Sequence, residues 1–474
     1  MNWPIIHDGQ IFHFIASRIL HGDVAYRDLY DYNMPGTYLL HMLCIAIFGI
    51  KDFGFRILDI LALALASASI AAIVWRYSKT CALASGLLWA AYHLKCGIIF
   101  LGQRDYFMAC FMLASSALLL AALPQNSEKK HGAWLLALSG ACAAYACAIK
   151  PTGILLCALH VALLTGWPRF PMRLRLCQCV AYIVGASIIL AAIATWLYIT
   201  GALPYFYDIV TGYLPAYRTD FGRFVIRPSF LIAAIAGGAC IAVAILSAHL
   251  RRDRDMALGV IGVGLLVGIA NYYLQHKGWI FHQDIAVAFF IIALGYTASR
   301  LREWQNAALT LCCFLLFAVT TEKYLPHHTR TQNYGWFYKS MERLNDDVTN
   351  AVAFLPPALR DEFMHSAPRP VQVYDQIAAQ LHNAAFRFDW RPPSRFIYNF
   401  TVKPSLKGPY IERLRQEFAN DLLGKKPPVV IIGNWMSEGV YSAIHSSDAN
   451  LRTFNEMYKL VLRRRMYSIY VRTQ

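Results

Sequence analysis

A carboxylate at the start of a helix, close to apolar residues, is a natural general base, and Asp8 stands in such a place, four residues after Pro4-Ile5-Ile6 begins. Partial desolvation there is expected to raise its basicity. A simple helix cap is the structural alternative, since Asp is among the preferred N-cap residues. Two more carboxylates, Asp28 and Asp31, follow beside Arg27. They suit a hydrogen-bonded loop as readily as a substrate contact, and no further ligands converge on them to support a divalent ion. A second set of candidates is basic. Arg56 after Lys51-Asp52-Phe53-Gly54-Phe55, Arg104 with Asp105, Lys150 in Lys150-Pro151-Thr152-Gly153, and Lys277 with His282 each sit between or at the start of apolar runs. A guanidinium or ammonium at such a boundary can hold a phosphate. It can also snorkel, form a turn, or, for a lone histidine, simply pack.

These residues must be positioned by membrane helices. The chain of 474 residues is 57% hydrophobic and only 15% charged, which excludes an ordinary soluble domain. Apolar runs long enough for a bilayer give about ten spans, near 56–75, 81–100, 105–123, 132–149, 151–166, 177–200, 229–249, 256–274, 279–298 and 305–322. The 44 Lys and Arg against 28 acidic residues read as topology and lipid contact, not nucleic-acid binding. Basic residues occupy every second linker, including Arg76 and Lys79, Lys129 and Lys130, and Arg251, Arg252 and Arg254. Those linkers are expected in the cytoplasm. The candidate residues then share the opposite, extracytoplasmic face. The spans look almost free of charge at depth, with Lys95 a partial exception. The 12 cysteines, all at or before Cys313, show no zinc spacing, and no cofactor or metal is expected.

Three regions follow: a first loop with interfacial helices over 1–55, a helical membrane domain over 56–322, and a small α/β domain over 323–474. Residues 9–20 carry Ile11, Phe12, Ile15, Ile19 and Leu20 on one face and predict an amphipathic surface helix started by Asp8 and ended by Gly22. The run 37–49, about 20 Å as a helix, is too short to cross. In the last region, 370–374, 429–432 and 467–471 read as strands and 339–354 and 409–423 as helices.

The run from Asp8 through Gly22-Asp23-Val24-Ala25-Tyr26-Arg27-Asp28 and Asn33-Met34-Pro35-Gly36 to Phe55-Arg56-Ile57-Leu58 resembles the polyprenyl-phosphate-sugar-dependent membrane glycosyltransferases of the GT-C fold. In style it is similar to protein O-mannosyltransferase-like and aminoarabinose-transferase-like enzymes and to the lipopolysaccharide core transferases of rhizobia. The resemblance covers the first 110 residues best. It implies hexosyl or pentosyl transfer from a polyprenyl-phosphate sugar to a hydroxyl of a glycan, lipid or protein, at the outer face of a bacterial inner membrane. It also implies that Asp8 is the catalytic base and Arg56 a donor-phosphate residue. Lys150 and Lys277 extend the phosphate site by position, with Asp28, Asp31, Arg104, Asp105 and His282 as substrate contacts. Gly9 stands where many members carry a second acid, and in family members a membrane span precedes the acidic loop, so either this chain is inserted unusually or its true start lies upstream of Met1. A lipid-linked oligosaccharide polymerase or ligase, with the 201–228 loop as its basic segment, and a multi-pass transporter or flippase are the alternatives.

Overall fold

The computed structural model describes residues 4–98, 100, 102–123, 132–167, 170–218, 226–250, 255–300, 335–375, 381–398, 400–434 and 437–474. Among the described residues, thirteen α-helices lie in the first 300 positions: α1 (Asp8–Leu20), α2 (Pro35–Phe48), α3 (Asp52–Trp75), α4 (Lys79–Cys96), α5 (Arg104–Ala122), α6 (Ala133–Ile149), α7 (Ile154–Gly166), α8 (Met172–Ile199), α9 (Leu203–Asp208), α10 (Leu214–Arg218), α11 (Pro228–Leu250), α12 (Met256–Gln275) and α13 (Asp284–Arg300). Among the described residues, six helical stretches are long and apolar enough to cross a membrane: α3, α5, α8, Pro228–Leu246 of α11, α12 and Ile280–Arg300. Shorter apolar helices cover Pro35–Phe48, Ala133–Ile149 and Pro151–Gly166. Nine of the ten expected spans coincide with helices, and the tenth, 305–322, lies outside the described residues, as do Lys129, Lys130, Arg251, Arg252 and Arg254. The chain is a polytopic helical membrane protein.

Small residues let the bundle close. At the α6/α8 contact, a Cβ on Gly185 would meet the Ala137 carbonyl oxygen at 1.8 Å, and one on Gly140 would meet that of Tyr182 at 1.9 Å. Apolar lipid gives helices no hydrophobic reason to associate, so close backbone approach of this kind supplies the attraction.

The C-terminal region is a small α/β unit. Its mixed sheet has the order β1-β2-β4-β3, from β1 (Val371–Tyr374), β2 (Val429–Gly433), β3 (Tyr458–Arg463) and β4 (Tyr467–Arg472). β1 and β2 run parallel, with Val371 opposite Val429. β4 is antiparallel to both β2 and β3. Helices over Gly335–Val352 and Pro409–Lys425 agree with the two expected from sequence. β3 was not expected: it is an edge strand, half-exposed and rich in Lys and Arg.

Two large apolar cores organise the described residues, beside a small cluster of Phe230, Tyr272 and Ala286. One lies within the membrane bundle and includes Trp89, Leu113 and Ile285. The other joins Phe12, Phe14, Tyr26 and Tyr30 of the first loop to Tyr213 and to Val373, Ile431 and Ile469 of the sheet. The first loop and the C-terminal unit are therefore packed as one body. Backbone bonding reinforces this, with Tyr30 N donating to Arg395 O at 2.8 Å and Asn383 Nδ2 to Ile5 O at 2.7 Å.

This corrects the reading of α1 as a surface helix. Residues Gly9 to Ser17 are all buried, because the C-terminal unit covers the face expected to meet water. Asp8 is the first helical residue and His7 its N-cap, without a side-chain capping bond. Gly22 does end the segment, at φ 98°, a conformation that glycine adopts without steric cost. The membrane helices also hold more ionisable groups than expected. Asp59 Oδ2 lies 3.8 Å from His93 Nε2, the Tyr106 ring stacks on His93 at 3.9 Å, and Tyr92 OH donates to Asp284 Oδ1 at 3.1 Å.

Candidate active site

At the end of the bundle covered by the C-terminal unit, the helix-joining segments open a cavity of about 200 Å³. Local sequence explains how each basic group arrives there. Lys150 precedes Pro151, and the residue before a proline is barred from helical backbone by the ring. It is accordingly extended, at φ −145° and ψ 133°, and ends α6. Lys277 lies between two left-handed positions, His276 at φ 51° and Gly278 at φ 60°, so the chain reverses after α12 with Lys277 at the apex. Arg104 opens α5 two residues after Gly102, where φ is 78°. A Cβ on Gly102 would meet the Phe55 ring at 2.6 Å, so the turn that aims Arg104 needs glycine.

Arg104, Lys150, Lys277 and His282 all line the cavity. Lys150 Nζ donates to Asp105 Oδ2 at 2.6 Å and to Gln275 Oε1 at 2.5 Å. Gln275 Nε2 donates in turn to Asp105 Oδ1 at 2.9 Å. Lys277 Nζ donates to Tyr217 OH at 2.6 Å and stands 4.0 Å from the centre of that ring. Tyr32 OH also reaches Tyr217 OH, at 3.3 Å. His282 stacks against Trp279 at 5.5 Å. Burial pushes the Lys150 ammonium down to about 8 although Asp105 opposes the shift. Burial, together with Lys150 and Arg104, pushes Lys277 down to about 6. Three cationic positions crowd one small space, and an anion placed there relieves both their repulsion and their desolvation.

Asp8 belongs to the same electrostatic cluster. Burial pushes its carboxyl up, but His7, Arg104 and Lys277 together outweigh that and hold it down to about 2. Its Oδ1 is 3.3 Å from His7 Nδ1, and that nitrogen is 3.0 Å from Gln103 Nε2. The expectation of raised basicity is therefore reversed: the polar and basic neighbours outweigh burial and favour the carboxylate form of Asp8.

The other candidates lie apart from the cavity lining. Arg56 is buried, with Nη2 donating to Pro4 O at 2.6 Å and its guanidinium 5.4 Å from the Phe55 ring centre. Asp31 is buried and accepts from Tyr32 N at 2.7 Å, from Asn33 Nδ2 at 2.7 and 2.8 Å, from Tyr38 OH and from Tyr398 OH at 2.9 Å. It ties the first loop to the C-terminal unit. Asp28 accepts from Arg27 and from Val24 N at 2.8 Å and lines a different groove. Sequence reasoning missed Tyr32, Tyr217 and Gln275. Gln275 adjoins the 276–279 cluster and was within reach, whereas neutral tyrosines on separate segments gave no signal.

Residues 34–199 match the family described as dolichyl-phosphate-mannose-protein mannosyltransferase. Among solved structures, ArnT from Cupriavidus metallidurans bound to undecaprenyl phosphate is similar, with TM-score 0.57 and 15% identity over 98% of this chain and 94% of that one. The oligosaccharyltransferase AglB from Archaeoglobus fulgidus, in complex with an inhibitory peptide and a dolichol-phosphate, is similar with TM-score 0.54 and 10% identity, over 100% of this chain and 71% of that one. Comparison with curated proteins gave no match. The fold is that of the GT-C membrane glycosyltransferases, as the resemblance in the first loop implied.

Proposed function

We propose that this chain is a membrane glycosyltransferase that moves a sugar from a polyprenyl-phosphate donor to an acceptor hydroxyl. The observation that carries this reading is the cavity at the helix ends whose wall holds Arg104, Lys150 and Lys277, two of which, Arg104 and Lys277, also act electrostatically on Asp8. The lipid chain would lie along the membrane helices, with its phosphate at the cationic wall. Asp8 accepts the proton from the acceptor hydroxyl as that oxygen attacks the anomeric carbon. The bond to the phosphate oxygen breaks in the same displacement, which inverts configuration, and the cationic wall stabilises the negative charge growing on the departing phosphate. In this reading the cavity end of the bundle faces the extracytoplasmic side of a bacterial inner membrane, and the group transferred is a hexose or pentose. A transporter would need its site at mid-membrane, whereas this cluster sits at helix ends.

The test is transfer from radiolabelled polyprenyl-phosphate sugars in membranes, wild type against Asp8→Asn. Turnover is expected to fall by about 10² to 10⁴-fold, the range of a lost general base. Full activity in the variant sinks the assignment of Asp8.

A further inference from the structure

We propose that a second cavity, where the first loop meets the C-terminal unit, binds the anionic part of an oligosaccharide acceptor through carboxylate or phosphate groups. The acceptor role rests on the transferase reading above, but the anion-binding role stands on its own. This groove encloses about 510 Å³, within the usual range of ligand sites. Five cationic side chains face it, Arg18, Arg27, Arg391, Arg395 and Lys425, against the three carboxylates of Asp23, Asp28 and Asp421.

The carboxylates are already committed to holding the basic groups in place. Asp23 accepts from Arg18 Nε at 2.6 Å and from Arg391 Nη2 at 2.8 Å, so one negative charge orients two guanidiniums. Asp421 accepts from Ser394 Oγ at 2.5 Å and from Arg395 N at 3.0 Å, which fixes the loop. Arg395 itself is braced by Glu417 at 2.8 Å. Arg27 donates Nε and Nη2 to the two oxygens of Asp28, both at 2.8 Å, and Arg27 and Arg391 remain 46% and 51% exposed, so the N–H groups not engaged by Asp28 and Asp23 can meet an oxyanion. Pro368, Pro370, Pro392 and Pro393 form the walls and reduce the ordering that a ligand must impose.

The occupant follows from what the lining lacks and from where it sits. No large aliphatic or aromatic residue is among the lining residues, so it offers nothing to a lipid tail and suits a hydrated, charged sugar. Arg18 is ten positions along α1 from Asp8, about 15 Å at the helical rise. An extended glycan anchored here can present a hydroxyl near Asp8, and remote binding of this kind can position the reacting group.

The experiment is calorimetric titration of the full chain in neutral phosphatidylcholine nanodiscs, without donor. The probes are a uronic-acid trisaccharide, its methyl ester and a phosphorylated trisaccharide. Binding of either anionic probe, weakening as salt rises, with no heat from the ester, is expected, and the stronger of the two identifies the preferred anion. The double variant Arg27→Gln with Arg391→Gln is expected to lose at least about tenfold in affinity, and Lys425→Gln about two- to threefold, as charge-assisted contacts are removed. Failure of both anionic probes, equal binding of the ester, or wild-type affinity in all variants overturns the proposal. Because no donor is present, failure of transfer and failure of this titration are separate results.

Discussion

Arg56 and Arg104 both stand near the start of a membrane helix and at the same end of the bundle, yet they serve different surroundings. Arg56 donates to the Pro4 carbonyl within a corner made by His13, His41 and Phe55. That corner also holds the C-terminal unit, since Tyr338 OH donates to Asp52 at 3.0 Å and Asp52 accepts from Ile5 N at 2.9 Å. Arg104 rests over the Phe12 ring at 5.2 Å, lines the cavity and helps hold Asp8 ionised. The difference shows that an arginine at a membrane boundary is assigned by what its head group meets. In this fold the first-loop corner braces the covering unit, and the cationic wall lines the cavity that the proposed reading gives to the donor phosphate.

That contrast breaks most readily at Arg104. If the proposed reading holds, replacing it by Met removes a charge that would face the departing phosphate, and kcat/KM for transfer is expected to fall by about 10² to 10³-fold, the usual scale for one such stabilising group. The acid limb of the pH profile should also move upward, because Arg104 is one of the cations depressing the Asp8 carboxyl. Kinetics across pH measure both effects. A variant with wild-type rates would place Arg104 outside the reaction.

The corresponding change at Arg56 should separate stability from chemistry. Arg56→Met loses a charge-assisted bond in a buried place, with a cost of about 1.5–3 kcal/mol, read as a lower thermal midpoint in detergent. The donor KM of the folded fraction is expected to stay near wild type. A large rise in KM with an unchanged midpoint would return Arg56 to the phosphate site that the family resemblance implied.

Much of this arrangement was legible because boundary residues obey strong constraints. Lys150 before Pro151, Lys277 before Gly278 and Arg104 after Gly102 each sit where a helix must stop or start, and apolar spans place those stops at one surface. Asp8 was visible for the same reason. What the sequence hid was direction. Nothing in Phe55-Arg56 says that the guanidinium turns toward Pro4, and nothing in residues 9–17 says that this whole stretch is buried. Long-range partners also escaped: Asp31 and Tyr398 meet across 367 positions, and no local pattern encodes that contact. Asp59 and Asp284 were overlooked because single carboxylates barely alter an apolar run, although their neighbours His93 and Tyr92 are near the C-terminal end of α4.

The smallest expected effect is the pH dependence of donor binding, and it tests whether the cavity lysines meet the phosphate. A polyprenyl-phosphate sugar is a phosphodiester and keeps one negative charge through the neutral range, so the donor does not titrate there. Asp8, held down to about 2, does not titrate there either. Lys277 is pushed down to about 6 and Lys150 to about 8 by burial. An arriving anion favours their protonated forms, so binding takes up protons. Affinity should therefore be highest below about pH 6 and weaken as pH rises through Lys277 and then Lys150. A loss of roughly tenfold in donor affinity per pH unit is the limit for uptake of one proton. Lys277→Met is expected to raise the donor KM about tenfold at pH 6, near 1.4 kcal/mol, and to flatten the first part of the slope. The measurement is donor KM between pH 5.5 and pH 8.5 for both proteins, buffer ranges set by about a unit either side of the lysine values. A slope that survives unchanged in the variant would assign the proton uptake to another group and leave Lys277 as a packing partner of Tyr217.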